Sequence, residues 1–206
     1  MNICLLGATG RVGTVILENA LSHHHNVQIL VRDRTKVTIC HPNLEIIVGN
    51  ALNEKDLSKT MMGTNAVISA LNTDNTSTLA ETMPMIVKQM NNHRIHRIIT
   101  IGTAGILQAR SNPQIYRFQS AESKRKTTKD AEEHLKAFLK LKDSDLDWTI
   151  VCPTYLPLGE RIGTYRYEEN FLPEEPSSIS VYDTADFAFS LLKNKEFIRC
   201  RVGLTY

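Results

Sequence analysis

Apolar residues fall into short runs at 2–6, 27–31, 44–48, 66–70, 97–101 and 148–152, separated by longer polar stretches. Each run is rich in Ile and Val and largely lacks polar alternation, the pattern of parallel strands covered on both faces. Between them, apolar residues at helical spacing predict helices over 12–22, 54–61, 78–91 and 127–141. Strand and helix in alternation imply right-handed crossovers and a doubly wound parallel sheet with helices on both faces. A late helix over 184–192 and a last strand over 199–204 complete the order, with Asp183 placed to cap that helix. Two stretches break the alternation, at about 104–126 and 154–178, and read as long irregular loops of functional length.

Bulk properties narrow the function classes. The chain has 206 residues and a formal net charge of +2, which suits one α/β domain over 1–206 and gives no basis for a nucleic-acid or membrane partner. No apolar run reaches membrane-spanning length, and no charged-then-apolar leader precedes the first strand. Cys4, Cys40, Cys152 and Cys200 are scattered, with two in expected buried strands, which reads as reduced thiols in a cytoplasm. His23, His24 and His25 are consecutive, so they cannot share a helix face. They read as a solvated helix end and not as a metal site, and no metal site is expected.

The chemistry begins where the first strand ends. Gly7, Ala8, Thr9, Gly10, Arg11, Val12 and Gly13 join that strand to the first helix in the order a dinucleotide site requires. The first glycine permits a sharp turn, the second lets backbone approach a pyrophosphate, and the third lets the helix pack close to the sheet. The helix N-terminus adds unpaired N–H groups and a positive dipole end. Past the second strand, Arg32 and Arg34 flank Asp33. A guanidinium suits the 2′-phosphate of NADP, whereas a carboxylate there would take the 2′-hydroxyl of NAD, so the arginines favour NADP(H) over NAD(H).

The spacing Gly-x-x-Gly-x-x-Gly around Ala8-Thr9 resembles the opening of the atypical, or extended, short-chain dehydrogenase/reductase superfamily. Val31-Arg32-Asp33-Arg34, the run 65–70 and the run 146–153 resemble it in order and spacing over nearly the whole chain. Within the superfamily the chain is most similar to small NmrA-like NAD(P)H-binding proteins and to the flavin reductase/biliverdin reductase B group. This resemblance implies a Rossmann-type domain whose two long loops wall a substrate pocket. It further implies cofactor contacts from Asn50 and Ala51 after strand three, and from Ala70, Leu71 and Asn72 after strand four. Thr103 would lie at a catalytic or substrate-orienting position, and Pro153, Thr154 and Tyr155 beside the nicotinamide.

The resemblance also implies a Tyr-x-x-x-Lys helix, and here the chain departs from the pattern. Lys129 falls at the lysine position, where it would hold the ribose, but Arg125 occupies the tyrosine position. Arginine does not release a proton near neutral pH. Carbonyl reduction with a tyrosine acid is therefore not expected, and Tyr116, Tyr155 and His134 are the substitute acids to consider. Hydride transfer to a conjugated acceptor needs mainly alignment. The expected function is an NADPH-dependent oxidoreductase acting on a flavin, quinone-like or other conjugated small molecule. The alternative is a non-catalytic NmrA-like redox sensor that binds a protein partner.

Overall fold

The computed structural model describes residues 1–73 and 77–206. Its sheet has eight strands: β1 (Asn2–Leu6), β2 (Asn26–Val31), β3 (Leu44–Val48), β4 (Ala66–Ser69), β5 (Arg97–Ile101), β6 (Asp147–Pro153), β7 (Arg166–Glu169) and β8 (Cys200–Thr205). They lie in the order β3-β2-β1-β4-β5-β6-β8-β7, parallel throughout except for β7, which pairs antiparallel with β8. Strand order therefore reverses between β1 and β4, the place where a Rossmann-type sheet opens a crevice beyond its carboxyl ends.

Both faces are covered, as the unalternating apolar runs require. Along β1, Ile3 and Leu5 enter one apolar cluster while Cys4 and Leu6 enter the other. The first cluster includes residues of α1 (Arg11–Ser22) and α5 (Val181–Ser190). The second includes residues of α2 (Glu54–Met61), α3 (Thr78–Asn92) and α4 (Lys129–Lys142). Period-two side-chain alternation thus serves two cores instead of one core and solvent. β3 is the exception to the expected two-sided cover: as an edge strand it exposes Glu45 and Val48.

Several local expectations are corrected. β7 arises inside the 154–178 stretch, from Arg-Tyr-Glu-Glu, a sequence with no buried face to announce a strand. Ser180, not Asp183, is the N-cap of α5: its side chain accepts from the Asp183 N–H at 3.0 Å. Asp183 has no exposed surface and accepts from the backbone N–H groups of Ile162 and Gly163, both at 2.9 Å, and from Tyr206 Oη at 2.5 Å. Of the three histidines, His23 and His24 are exposed. His25 is buried against Phe189, with Nδ1 3.1 Å from the Met1 amine.

Candidate nucleotide-binding cleft

At the carboxyl ends of the central strands lies a cleft of about 650 Å³. The glycine turn forms its floor, and the turn's three glycines have three different duties. Gly7 has φ +79°, and a Cβ there would lie 2.5 Å from the Ala70 carbonyl oxygen. A Cβ on Gly13 would lie 2.1 Å from the Gly7 carbonyl oxygen, so this glycine serves helix–turn packing. At Gly10 the nearest atom to a Cβ would be the Gly7 oxygen at 3.3 Å, and φ is −83°, so the fold itself has room for a methyl group. What a side chain at Gly10 would occupy is the cleft. Gly10 is also the N-cap of α1, with no side-chain cap and no acid in the first turn, which leaves the first helical N–H groups for an anion.

Most of the expected cofactor residues line this cleft: Gly7, Thr9, Gly10, Arg11, Val12, Arg32, Asn50, Ala51, Ala70, Leu71, Asn72, Thr103, Pro153 and Thr154. Four others do not. Ala8 is buried with its carbonyl bonded to Thr14 Oγ1 at 3.1 Å, and Gly13 is buried beneath the turn. Arg34 lies outside the lining and donates to the Val37 carbonyl at 3.2 Å within its own 3₁₀ turn. Lys36, which the sequence reading passed over, takes the place beside Arg32. Asp33 is also spoken for: it caps that 3₁₀ turn, accepting from the Thr35 N–H at 2.9 Å and Thr35 Oγ1 at 2.6 Å. These bonds hold its carboxyl below the usual range. Among the described residues lining the cleft, Arg11, Arg32, Lys36 and Arg125 face one carboxylate, Asp130. That balance suits a phosphorylated ligand.

Lys129 is the fourth expected residue outside the cleft. α4 begins at Lys129, so Arg125 lies in the approach loop, and the two are not one helical turn apart. Lys129 is exposed and lines neither this cleft nor its neighbour. The helix instead turns Asp130 and His134 to the cleft. Asp130 accepts from Thr73 Oγ1 at 2.9 Å and pairs with Arg125 at 3.5 Å. Burial pushes the His134 imidazole down to about 4, with Asp130 opposing and Arg125 assisting. The imidazolium is therefore disfavoured at pH 7, and the ring offers one donor and one acceptor. Both residues fall inside the expected helix over 127–141 at i, i+4 spacing, which puts them on one face.

A second cavity of about 750 Å³ adjoins the first and shares Thr103, Arg125, Pro153 and Thr154 with it. The stretches 104–126 and 154–178 supply most of its walls, including Phe118, Tyr155 and Leu172. Tyr155 is 71% exposed at this cavity. Tyr116 lies outside both linings, packed against Phe118 and Phe138, which ends its candidacy as an acid. Arg11 Nη1 donates to the Leu156 carbonyl at 2.9 Å, tying the glycine turn to the start of the 154–178 wall.

Known proteins agree with this geometry. A protein from Streptococcus pneumoniae, provisionally described as an NADH-flavin reductase, superposes with a TM-score of 0.84 at 23% identity, covering 100% of this chain and 99% of that one. A wide-type short-chain dehydrogenase/reductase from Veillonella parvula, solved in complex with NADP, superposes at 0.80 with 19% identity, covering 100% and 94%. A Rossmann-fold NAD(P)-binding family protein from Shigella flexneri gives 0.78 at 20% identity, covering 99% and 92%. At such identities the likeness is one of fold. The family itself comes from sequence, because the model described as NAD(P)H-binding matches residues 7–195. The chain therefore belongs to the NAD(P)H-binding family, as the glycine turn and the strand ends implied.

Proposed function

We propose that the chain, acting as one domain over 1–206, is an NADPH-dependent reductase of a flavin, quinone-like or other conjugated small molecule. The observation that carries this reading is the junction at Thr103, Arg125, Pro153 and Thr154, where the nucleotide cleft opens into a second, partly apolar cavity. When bound, the reduced nicotinamide supplies a hydride. The residues of the chain supply alignment, with Gly7, Gly10 and the α1 N-terminus holding the phosphates and the two loop walls holding the acceptor. Arg125, at the tyrosine position of the family pattern, lines the junction in place of a tyrosine acid, which favours acceptors that delocalise the incoming charge over those that need a positioned donor. The likeness to a protein provisionally described as an NADH-flavin reductase supports the same acceptor class. Among the described residues no helix is long and apolar enough to cross a membrane. The free cysteines, with Cys4 and Cys152 buried, support a reducing, cytoplasmic setting.

The test is NADPH oxidation followed with FMN, a benzoquinone, a simple aliphatic ketone and no acceptor. Turnover with FMN or the quinone should exceed ketone reduction by at least about tenfold, the rate ratio of roughly 1.4 kcal/mol in barrier. Efficient ketone reduction would overturn the acceptor class. Tight NADPH binding with no turnover on any acceptor would overturn the reductase and favour a nucleotide sensor.

Nucleotide choice has its own expected outcome. Arg32 and Lys36 line the cleft while Asp33 is occupied as a cap, an arrangement that favours a 2′-phosphate. Replacing both Arg32 and Lys36 with Ala should weaken NADPH binding by about tenfold or more, the loss of at least one charge-assisted bond of roughly 1.5–3 kcal/mol, and leave NADH nearly unchanged. Arg34→Ala should change neither. Equal losses for the two nucleotides in a calorimetric titration would refute the selection.

A further inference from the structure

The family pattern puts a lysine one turn after a tyrosine on the helix that follows strand five. In this chain the corresponding helix presents other residues. The buried residues of α4 are Ala131, Ala137, Phe138 and Leu141, and His134 lies on the line joining Ala131 to Phe138 and Leu141. At 100° per residue, Lys129 sits about 140° around the helix from His134, on the solvent side. The stripe that packs against the sheet further along thus reaches the cleft through Asp130 and His134. α4 leads directly into β6, and the same stretch of cleft is lined by Thr103, Pro153 and Thr154. That is the end opposite Arg32, Lys36 and Asn50.

We propose that His134 holds the nicotinamide-side ribose of the bound dinucleotide, taking over in this chain the positioning duty that the family pattern gives to a lysine. The inference rests on the nucleotide reading of the cleft. The Asp130 carboxylate is engaged by Thr73 and Arg125, which fixes the wall beside the imidazole. An imidazole offers one donor and one acceptor, a match for the hydroxyls of a ribose, which both give and take hydrogen bonds. Being neutral, it places no second cation beside Arg125, so the two coexist at the junction. His134 acts on the cofactor's position and moves no proton.

The experiment measures binding, not turnover. NADPH and 2′,5′-ADP, which lacks the nicotinamide riboside and its phosphate, are titrated calorimetrically into the wild-type protein and into His134→Ala, His134→Met, His134→Gln and Lys129→Ala. His134→Ala and the volume-filling His134→Met should each bind NADPH about tenfold more weakly, the loss of one hydrogen bond of roughly 1.5 kcal/mol. Binding of 2′,5′-ADP should stay within about twofold. His134→Gln, which restores a donor and an acceptor at similar reach, should recover most of the NADPH affinity, and Lys129→Ala should behave as wild type. Equal losses for NADPH and 2′,5′-ADP would mean a distorted cleft and overturn the assignment, as would unchanged NADPH affinity in His134→Met. Wild-type protein that binds neither ligand would overturn the nucleotide reading itself, a failure distinct from that of His134.

Discussion

Gly10→Ala should yield a folded protein that no longer binds NADPH well, whereas Gly13→Ala should lose stability first. The two glycines stand three residues apart in one turn, yet the space around them differs. At Gly10 an added methyl would come no nearer to protein than 3.3 Å, and the backbone angles there are ordinary for alanine. The cost to the fold is that of a poorer N-cap, at most about 1 kcal/mol. The methyl would stand over the uncapped end of α1, where the phosphates must approach backbone N–H groups. An affinity loss of tenfold to a hundredfold, about 1.4–2.8 kcal/mol, is expected. At Gly13 the added carbon would meet Gly7 and Ala8 backbone, with the Gly7 oxygen at 2.1 Å. Backbone cannot swing aside as a side chain can, so α1 must lift from the turn at a cost of about 1–3 kcal/mol. Thermal melts beside NADPH titrations separate the two outcomes. A Gly10→Ala protein with wild-type affinity would remove the phosphate site from this turn.

The second large effect lies away from the cleft. Asp183→Ala should destabilise the protein by about 3 kcal/mol, as expected when several buried donors lose one acceptor. For a chain of this size that is a fall in melting temperature of about 6–12 °C. The carboxylate gathers the Ile162 and Gly163 N–H groups, the Ser180 hydroxyl and the Tyr206 hydroxyl. It thus joins α5, the 154–178 wall and the end of the sheet. Burial alone would push this carboxyl up, but the four donors hold it below the usual range. A depressed folded-state value means that its stabilisation is complete above the unfolded value of about 3.9 and is lost as pH falls through the folded one. Urea melts should therefore show the full gap between wild type and variant at pH 7 and at pH 5, and a narrowing gap below about pH 4. A gap that stays constant to pH 2 would show that the carboxylate's charge is not what binds the loop.

Much of the architecture was legible because buried parallel strands cannot be disguised. Val27, Ile29 and Val31 face one core and Leu30 the other, so apolar residues must occupy both parities. The glycine turn was equally plain, since a positive φ at Gly7 and a backbone contact at Gly13 admit little else. Two kinds of feature stayed hidden. β7 is held by backbone pairing to β8, and its Arg-Tyr-Glu-Glu sequence carries no pattern of burial. The facing of α4 is set by its buried stripe of Ala131, Ala137, Phe138 and Leu141, and at 100° per residue that stripe leaves Lys129 on the solvent side. The Tyr-x-x-x-Lys spacing that puts Lys129 at the family's lysine position takes no account of this stripe. Arg34 and Asp33 illustrate a related limit, since a charge beside a site becomes part of it only if a local turn leaves it free.

The way the two cavities are divided has a consequence for how such a chain can diverge. The nucleotide cleft is drawn mostly from strand ends and the turns that directly follow them, where a change disturbs the sheet, with Asp130 and His134 added from α4. The adjoining cavity is drawn mostly from two long connections, and among the described residues only Thr103, Arg125, Pro153 and Thr154 belong to both. Insertions and replacements in those connections can therefore alter what is accommodated while the nucleotide is retained. A library confined to loop positions outside the shared four samples new chemistries on an inherited reductant site.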